Sequence, residues 1–294
     1  MLIAQITDLH VAESGAESLQ FVDANAQLAA AIEFLNSMRR RPDVVVATGD
    51  LTDNGLVEEY RNLRELLDAL EIPLYLIGGN HDEVGNLTEA LDQHRYLPRD
   101  GEPQQYVIDE HDVRIVAVDT SRPGHHEGML DSRRIAWLDE ALRAAPGRPT
   151  LVMMHHPPFE TGIWWMDCSL ASGNEAFEAT IRRHPQVRRV IAGHIHRAIQ
   201  IAWDETIVSV SPSTAYQVAL ELTPEAQPFI TAEPPMMTLL DWNGDRCVTH
   251  TTAFDTSVAR HPVVASDLWP HTVEFLRDRP PFPKGSHAPG ATDG

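Results

Sequence analysis

Basic side chains are scarce in this sequence. Lys and Arg together number 23 against 43 Asp and Glu, a formal net charge of −20. Such a field repels long nucleic-acid duplexes, whose binding rests on cations that neutralise phosphates. No basic stripe with interleaved aromatics is present either, so nucleic-acid polymers are excluded as partners. Cysteine is nearly absent: Cys168 and Cys247 stand far apart and read as two free thiols in a reducing compartment. No apolar run approaches the ~20 residues that span a bilayer, so no membrane partner is expected. The opening MLIAQITDLH has no basic stretch ahead of its apolar residues, and Thr7 and Asp8 interrupt them. A secretory leader is therefore not expected, and the chain reads as cytoplasmic.

What is present is enough for one large α/β domain. The 294 residues are 43% hydrophobic and 22% charged, proportions that suit a globule with a substantial core. We place the domain at residues 1–275 and read 276–294, rich in Pro, Gly and small polar residues, as a peripheral tail. Within the domain, strand-like runs at 2–6, 43–48, 73–78, 106–108, 114–119, 150–154 and 188–193 alternate with helical patterns at 24–40, 57–70, 131–144 and 172–184. Asp23 is positioned to cap the first helix. The last third carries runs at 206–211, 236–242 and 245–251 and no strong helix, so an antiparallel portion should close the domain. Segment 213–237 breaks that pattern with polar and Pro-bearing sequence; it is expected to cap the site or to help build a homodimer or higher homo-oligomer.

The 15 histidines are the unusual part of the composition. Five strands each deliver a metal-ligand type to their carboxyl ends: Asp8 and His10, Asp50, Asn80 with His81 and Asp82, His155 with His156, and His194 with His196. Ligands of α/β sheets bind outside strand carboxyl ends, so this repeated polarity points to one crevice. In an extended segment residues two apart share a side, which predicts that Asp8 and His10 converge, and likewise His194 and His196. Glycines before Asp50, Asn80 and His194 relieve crowding where the backbone turns beside a ligand. Carboxylate, imidazole and amide groups without thiolate suit Mn, Fe, Zn or Co, and their number exceeds what one ion needs. Two divalent ions can clamp the attacking and leaving oxygens of an in-line displacement at phosphorus.

In this order the motifs D-x-H, GD, GNHD, HH and GHIH resemble the calcineurin-like metallophosphoesterase superfamily over roughly residues 1–200. MLIAQITDLH, GDLTDNG, PLYLIGGNHD and MMHHPP most resemble its bacterial branch of class III cyclic-nucleotide phosphodiesterases and glycerophosphodiesterases. The resemblance implies two packed mixed β-sheets flanked by helices, a four-layer αββα arrangement. It implies that Asp8, His10, Asp50 and His196 hold a first metal, that Asp50 bridges, and that Asn80, His155 and His194 complete the second. It also implies that His81 faces the phosphate, as a catalytic residue that stabilises charge or protonates the departing alkoxide. Asp82 is a candidate to orient an imidazole. The expected reaction is hydrolysis of a small phosphate diester by a metal-bound hydroxide, with 3′,5′-cyclic nucleotides such as cAMP the first candidate. Glycerophosphodiesters are the alternative, and a phosphomonoesterase would use the same metals.

Other residues have plainer readings. His156 is expected to be a structural histidine, because neighbours on a strand point oppositely. His125 and His126 read as solvated loop histidines, Glu58, Glu59 and Arg39 to Arg41 as solvated helix faces or ends. Arg122 suits a phosphate or a structural salt bridge, and Trp164 and Trp165 a pocket wall or an oligomer contact. Two departures from glycerophosphodiesterase-like relatives concern the leaving-group pocket: Asp53 stands where they carry asparagine, and Tyr216 lies in a segment where they carry histidine.

Overall fold

Aliphatic runs become parallel strands where both of their faces are covered. In the computed structural model β1 (Leu2–Ile6), α1 (Ala24–Ser37), β2 (Val44–Thr48), α2 (Val57–Leu67) and β3 (Leu74–Ile77) form two successive crossovers, followed by the short α3 (Val84–Ala90). β1 pairs with β2 and β2 with β3, Ile3 opposite Val44 and Val45 opposite Leu74. Every residue of β1 and β2 is buried, which accounts for their unbroken apolar character. The structure describes residues 1–13, 22–99, 101–244, 246–254, 261–264 and 267–277.

α1 begins where Asp23 accepts a hydrogen bond from the Ala26 N–H at 2.9 Å, as its capping position predicts. It buries Leu28, Ile32 and Leu35 at helical spacing. α2 begins differently from expectation. Glu59 is not a solvated helix residue: it is 1% exposed, and its carboxylate accepts from Asn54 N, Asn54 Nδ2 and Leu56 N at 2.9, 2.9 and 3.1 Å. An acidic group three residues into a helix satisfies the N–H groups ahead of it, and here those groups belong to the loop after Asp50.

The remainder runs β4 (Tyr106–Ile108), β5 (Arg114–Ala117), α4 (Ser132–Arg143), β6 (Thr150–Met153), α5 (Trp164–Asp167), α6 (Asn174–Arg182), β7 (Val187–Ala192), β8 (Ile199–Trp203), β9 (Thr206–Val210), β10 (Gln217–Val218), β11 (Ile230–Thr231), β12 (Met236–Asn243) and β13 (Arg246–Ala253). One sheet has the order β13-β12-β1-β2-β3 and the other β4-β5-β6-β7-β9-β8. Both are mixed: β12 is antiparallel to β1, while β4 and β8 are antiparallel edges of the second sheet. Period-2 alternation divides the second sheet's side chains between two cores. Ile115, Leu151, Met153 and Ile191 pack with the first sheet, whereas Val116, Val152 and Val190 pack with Leu138 of α4 and Phe177 of α6. Two packed sheets flanked by helices are therefore the architecture, as the motif resemblance implied. Phe177 is wholly buried, so Phe177→Ala should cost about 3–5 kcal/mol.

The two sheets are tied together close to their carboxyl ends. Gln5 Nε2 on β1 donates to Thr48 Oγ1 on β2 at 3.0 Å and to the Ala192 carbonyl of β7 at 2.9 Å. The residues to Asp255 form one compact unit and those from Thr256 a second. The second unit contains α7 (Trp269–Arg277), a helix not expected in the last third; Trp269, Val273 and Leu276 have helical spacing, yet no residue of it is buried. β8 was also unanticipated, because four of the five residues of this edge strand are exposed or half-exposed and it has no long apolar run.

Candidate metal centre

Asp8 and His10 follow β1, Asp50 follows β2, Asn80 and His81 follow β3, His155 follows β6, and His194 and His196 follow β7. The fold brings the carboxyl ends of these strands to one place. Asp8, His10 and His196 can present ligand atoms within 4.8 Å of one another, and so can Asp8, Asp50 and His155. His10 Nε2 lies 3.2 Å from His196 Nε2, His196 Nε2 3.4 Å from Asp8 Oδ1, His155 Nε2 3.3 Å from Asp50 Oδ1, and His155 Nε2 3.1 Å from Asn80 Oδ1.

The means of convergence differs from the expected one. Asp8, His10, Asp50, His194 and His196 all have positive φ, between 45° and 71°, so these segments are not extended. The strands have ended, and left-handed residues turn each side chain inward. Non-glycine residues pay for such conformations in strain, and clusters of them mark functional sites. The expected crowding is present: a Cβ on Gly79 would lie 2.2 Å from Asp50 Oδ1, and one on Gly193 would lie 2.0 Å from Thr7 Oγ1. Only glycine permits those approaches.

Three imidazoles are oriented by acceptors at Nδ1. His155 donates to the Thr48 carbonyl at 2.8 Å, His196 to the Tyr216 carbonyl at 2.9 Å, and His10 to Asp53 Oδ1 at 3.1 Å. Each arrangement places the proton on Nδ1 and turns the Nε2 lone pair toward the carboxylates, the tautomer a metal ligand needs. His194 is held in the opposite sense, its Nε2 meeting Ser169 Oγ at 2.9 Å, while its backbone N–H donates to both oxygens of Asp8 at 3.0 and 3.1 Å.

The electrostatics favour cations. Asp8 and Asp50 are 0% and 2% exposed, and burial pushes both carboxyl pKa values up. For Asp50 the neighbouring His155 and His81 outweigh burial and hold it well below the carboxylate range; His196 does the same for Asp8, so both stay ionised. Burial lowers the His155 pKa, but Asp50 overrides it and raises the group to about 9. His10 and His194 remain neutral because burial dominates there. Two ionised carboxylates, imidazole nitrogens that face them and an amide oxygen form a donor set suited to divalent cations, whose binding displaces any proton held on His155.

His81 sits beside these groups, its ring 4.8 Å from that of His10, and with His10 and Asp53 it can also present ligand atoms within 4.8 Å of one another. Its backbone N–H donates to Asp50 Oδ1 at 2.9 Å, its Nδ1 meets the Asp53 carbonyl at 2.7 Å, and its Nε2 lies 4.0 Å from Asp50 Oδ2. Burial lowers its pKa, yet Asp50 and the Asp53 carbonyl together raise it.

Asp82 does not orient an imidazole. It accepts from the N–H groups of Leu51, Thr52 and Gly79 and from the hydroxyls of Thr52 and Tyr60 at 2.8 to 3.2 Å. Its role is to fasten the loop after β2 to the loop after β3. His156 is buried and neutral: burial, then His155, lowers its pKa to about 3. Its Nδ1 accepts from Thr120 Oγ1 at 2.8 Å and its Nε2 donates to the His126 carbonyl at 2.9 Å, although its ring still lies 4.9 Å from that of His155.

A cleft of about 390 Å³ opens over the cluster. His126, Trp165, Met166, Ser169, Tyr216, Val218 and Ile230 line it alongside His10, Asp50, Asn80, His81, His194 and His196. Four of these were not named from sequence: Met166 and Ser169 come from a short helix and a loop without a pattern of their own, and Val218 and Ile230 lie in segment 213–237, expected to cap the site. His126 is an exposed loop histidine, as expected, that also lines the cleft, with its Nδ1 3.3 Å from Asn80 Nδ2. Trp164 is 47% exposed and is not among the lining residues, whereas Trp165 is. Tyr216 packs on the rings of His10 and His196, with centroids 5.0 and 4.6 Å away.

Comparison with known proteins agrees with this geometry. The model of the calcineurin-like phosphoesterase family matches residues 1–198. The glycerophosphodiester phosphodiesterase GpdQ of Enterobacter lignolyticus is 33% identical over 251 residues, covering 85% of this chain and 90% of that protein. A 3′,5′-cyclic-nucleotide phosphodiesterase of Nostoc sp. is 32% identical over 243 residues, covering 83% and 88%. A dimetal phosphatase from Danio rerio has a similar fold at 17% identity, with a TM-score of 0.63 over 86% of this chain and 96% of that one.

Proposed function

Since the chain belongs to the calcineurin-like phosphoesterase family, we propose that its strand-end cluster holds two divalent cations with which it hydrolyses small phosphate diesters, 3′,5′-cyclic nucleotides first. It is a metal-dependent phosphodiester hydrolase. The observation that carries the reading is the convergence of Asp8, His10, Asp50, Asn80, His155, His194 and His196 from five strand ends. Asp8, His10, Asp50 and His196 would hold one ion, and Asp50, Asn80, His155 and His194 the other. Asp50 suits the bridging role because its Oδ1 faces His155 while its Oδ2 lies 3.9 Å from His10 Nε2.

When bound, the cations supply Lewis acidity toward the phosphoryl oxygens and lower the pKa of water from 15.7 to as little as ~7. The chain's own residues do the rest. His81 keeps Nδ1 on the Asp53 carbonyl, so Nε2 is the atom that faces substrate and, in the imidazolium form, carries a transferable proton. That proton passes from Nε2 to the leaving oxygen as the P–O bond breaks. Trp165, Met166, Val218 and Ile230 form an apolar wall that excludes water and suits the flat, weakly polar part of a nucleoside. The β10–β11 hairpin supplies two of these residues and caps the cleft. Glycerophosphodiesters are a second reading, favoured by the 33% identity to the Enterobacter enzyme.

A cytoplasmic location belongs to the same proposal and is supported by the exposed free thiol of Cys168. Among the described residues no helix is long and apolar enough to cross a membrane. The test is hydrolysis of bis(p-nitrophenyl) phosphate with added Mn²⁺, compared with p-nitrophenyl phosphate. Faster turnover of the diester, abolished by a chelator, is expected; a preference for the monoester would replace this reading with a phosphatase.

A further inference from the structure

Arg122 lies in the loop after β5, beside the metal centre. It is an exposed residue that lines a recess of about 100 Å³, which adjoins the main cleft and shares Asn80 with it. Among the described residues it is the only Arg or Lys that lines either space. No hydrogen bond or ion pair engages its guanidinium among those residues, so the structural salt bridge is not there. Nearby arginines behave differently: Arg114 pairs with Asp109, Arg133 with Glu102 and Arg134 with Asp131. In a chain of net charge −20 an arginine without a carboxylate partner, placed next to a reaction centre, is an unused cation.

The loop that carries Arg122 is preordered. Asp119 Oδ1 accepts from the N–H and the hydroxyl of Ser121 at 2.8 and 2.6 Å, and Asp119 Oδ2 accepts from the Gln104 N–H at 2.9 Å. Arg134 Nη2 donates to the Ser121 carbonyl at 3.2 Å, and the His125 N–H donates to the Arg122 carbonyl at 3.0 Å. The backbone on both sides of Arg122 is thus held, and its side chain projects from a fixed point. The other charged groups at the recess are already engaged: Asp82 by five donors, and Glu83 by the Asn86 N–H that it caps at 2.6 Å. The cleft itself is lined by the metal cluster, by His81, His126, Ser169 and Tyr216 and by the apolar Trp165, Met166, Val218 and Ile230, so among the described residues Arg122 is the one guanidinium or ammonium at its border.

We propose that Arg122 anchors a second anionic group of the substrate, a phosphate or carboxylate attached beyond the scissile diester. The recess lies beside the metal cluster rather than over it, so this anion is not the phosphate that reacts. The proposal rests on the phosphodiesterase reading and extends its substrate class to diesters with two anionic groups. A guanidinium can hold such a group bidentately, which a lysine ammonium cannot match.

The test uses the full chain with Mn²⁺ and two diesters that differ by one phosphate, the dinucleoside monophosphate ApA and its 5′-phosphorylated form pApA. The wild type should show a kcat/KM for pApA about tenfold above that for ApA, the factor expected of one charge-assisted contact. R122A should bring the ratio to about one by slowing pApA, and R122K should fall between. Equal use of both substrates by the wild type, a ratio that survives in R122A, or hydrolysis of neither dinucleotide by a protein active on bis(p-nitrophenyl) phosphate would each overturn the anchor. Failure of the wild type on bis(p-nitrophenyl) phosphate would instead overturn the phosphodiesterase reading itself.

Discussion

The backbone N–H of His81 donates to Asp50 Oδ1 at 2.9 Å. This single bond joins the carboxylate we propose as the bridge between two cations to the residue we propose as the acid for the leaving group. The loop after β3 is thereby registered against the loop after β2, and Asp82 fastens the same two loops from behind through Leu51, Thr52 and Gly79. Hydrogen bonds thus connect the proposed acid to the proposed metal ligand Asp50 through both loops.

Asp50→Ala should therefore remove more than one ligand's worth of activity. Hydrolysis of bis(p-nitrophenyl) phosphate should fall by about 10³-fold or more in kcat, because charge stabilisation and the register of His81 are lost together. Steady-state kinetics on protein with an unchanged far-ultraviolet circular dichroism spectrum checks this.

His81→Gln should discriminate between leaving groups. A diester that releases an alkoxide needs a proton and should slow by about 10²-fold, whereas one that releases p-nitrophenolate needs little help and should slow much less. Equal losses on both would show that His81 acts on phosphate charge and not on the leaving oxygen.

The β10–β11 hairpin is latched by Arg197, whose Nη1 reaches the Val218 carbonyl at 2.6 Å and whose two terminal nitrogens meet Glu233 at 2.8 and 3.1 Å. Arg197 touches none of the reacting groups, so Arg197→Ala should raise KM several-fold through the loosened Val218 and Ile230 wall, with a smaller change in kcat. Glu233→Gln should reproduce the KM effect in part.

One pH effect on stability is independent of the metal centre. Asp131 caps α4, and the Arg134 N–H holds its carboxyl below the usual range; burial opposes this and the Arg134 guanidinium reinforces it. A pKa depressed in the folded state adds stability above the unfolded value of about 3.9, and that stability is lost as pH falls through the folded value. Asp131→Ala should cost about 1 kcal/mol at pH 7. The gap between wild type and variant in urea denaturation should close as pH drops below about 4.

Much of this was legible in the amino-acid order because strand ends announce themselves. VVVAT followed by Gly49-Asp50, or LYLI followed by Gly78, Gly79 and Asn80, marks both a buried strand and the polar group it delivers. The left-handed backbone at Asp8, His10, Asp50, His194 and His196 was not legible, because a non-glycine residue carries no sign of positive φ. Extended geometry predicted the right convergence for a wrong reason. Glu59 was misread because an acidic residue that satisfies nearby N–H groups looks, in sequence, like one that faces water; Asp82 was expected to orient an imidazole, and its backbone partners carry no sequence signal. Ser169 and His126 reach the cleft from loops whose course depends on tertiary packing.

Metal content in relation to activity tests the central claim most directly. Protein equilibrated with Mn²⁺ and freed of excess metal should carry two ions per chain by inductively coupled plasma mass spectrometry. Diester hydrolysis should vanish as those ions are chelated and return as they are restored. One ion or none in a preparation that still hydrolyses the diester at full rate would contradict it.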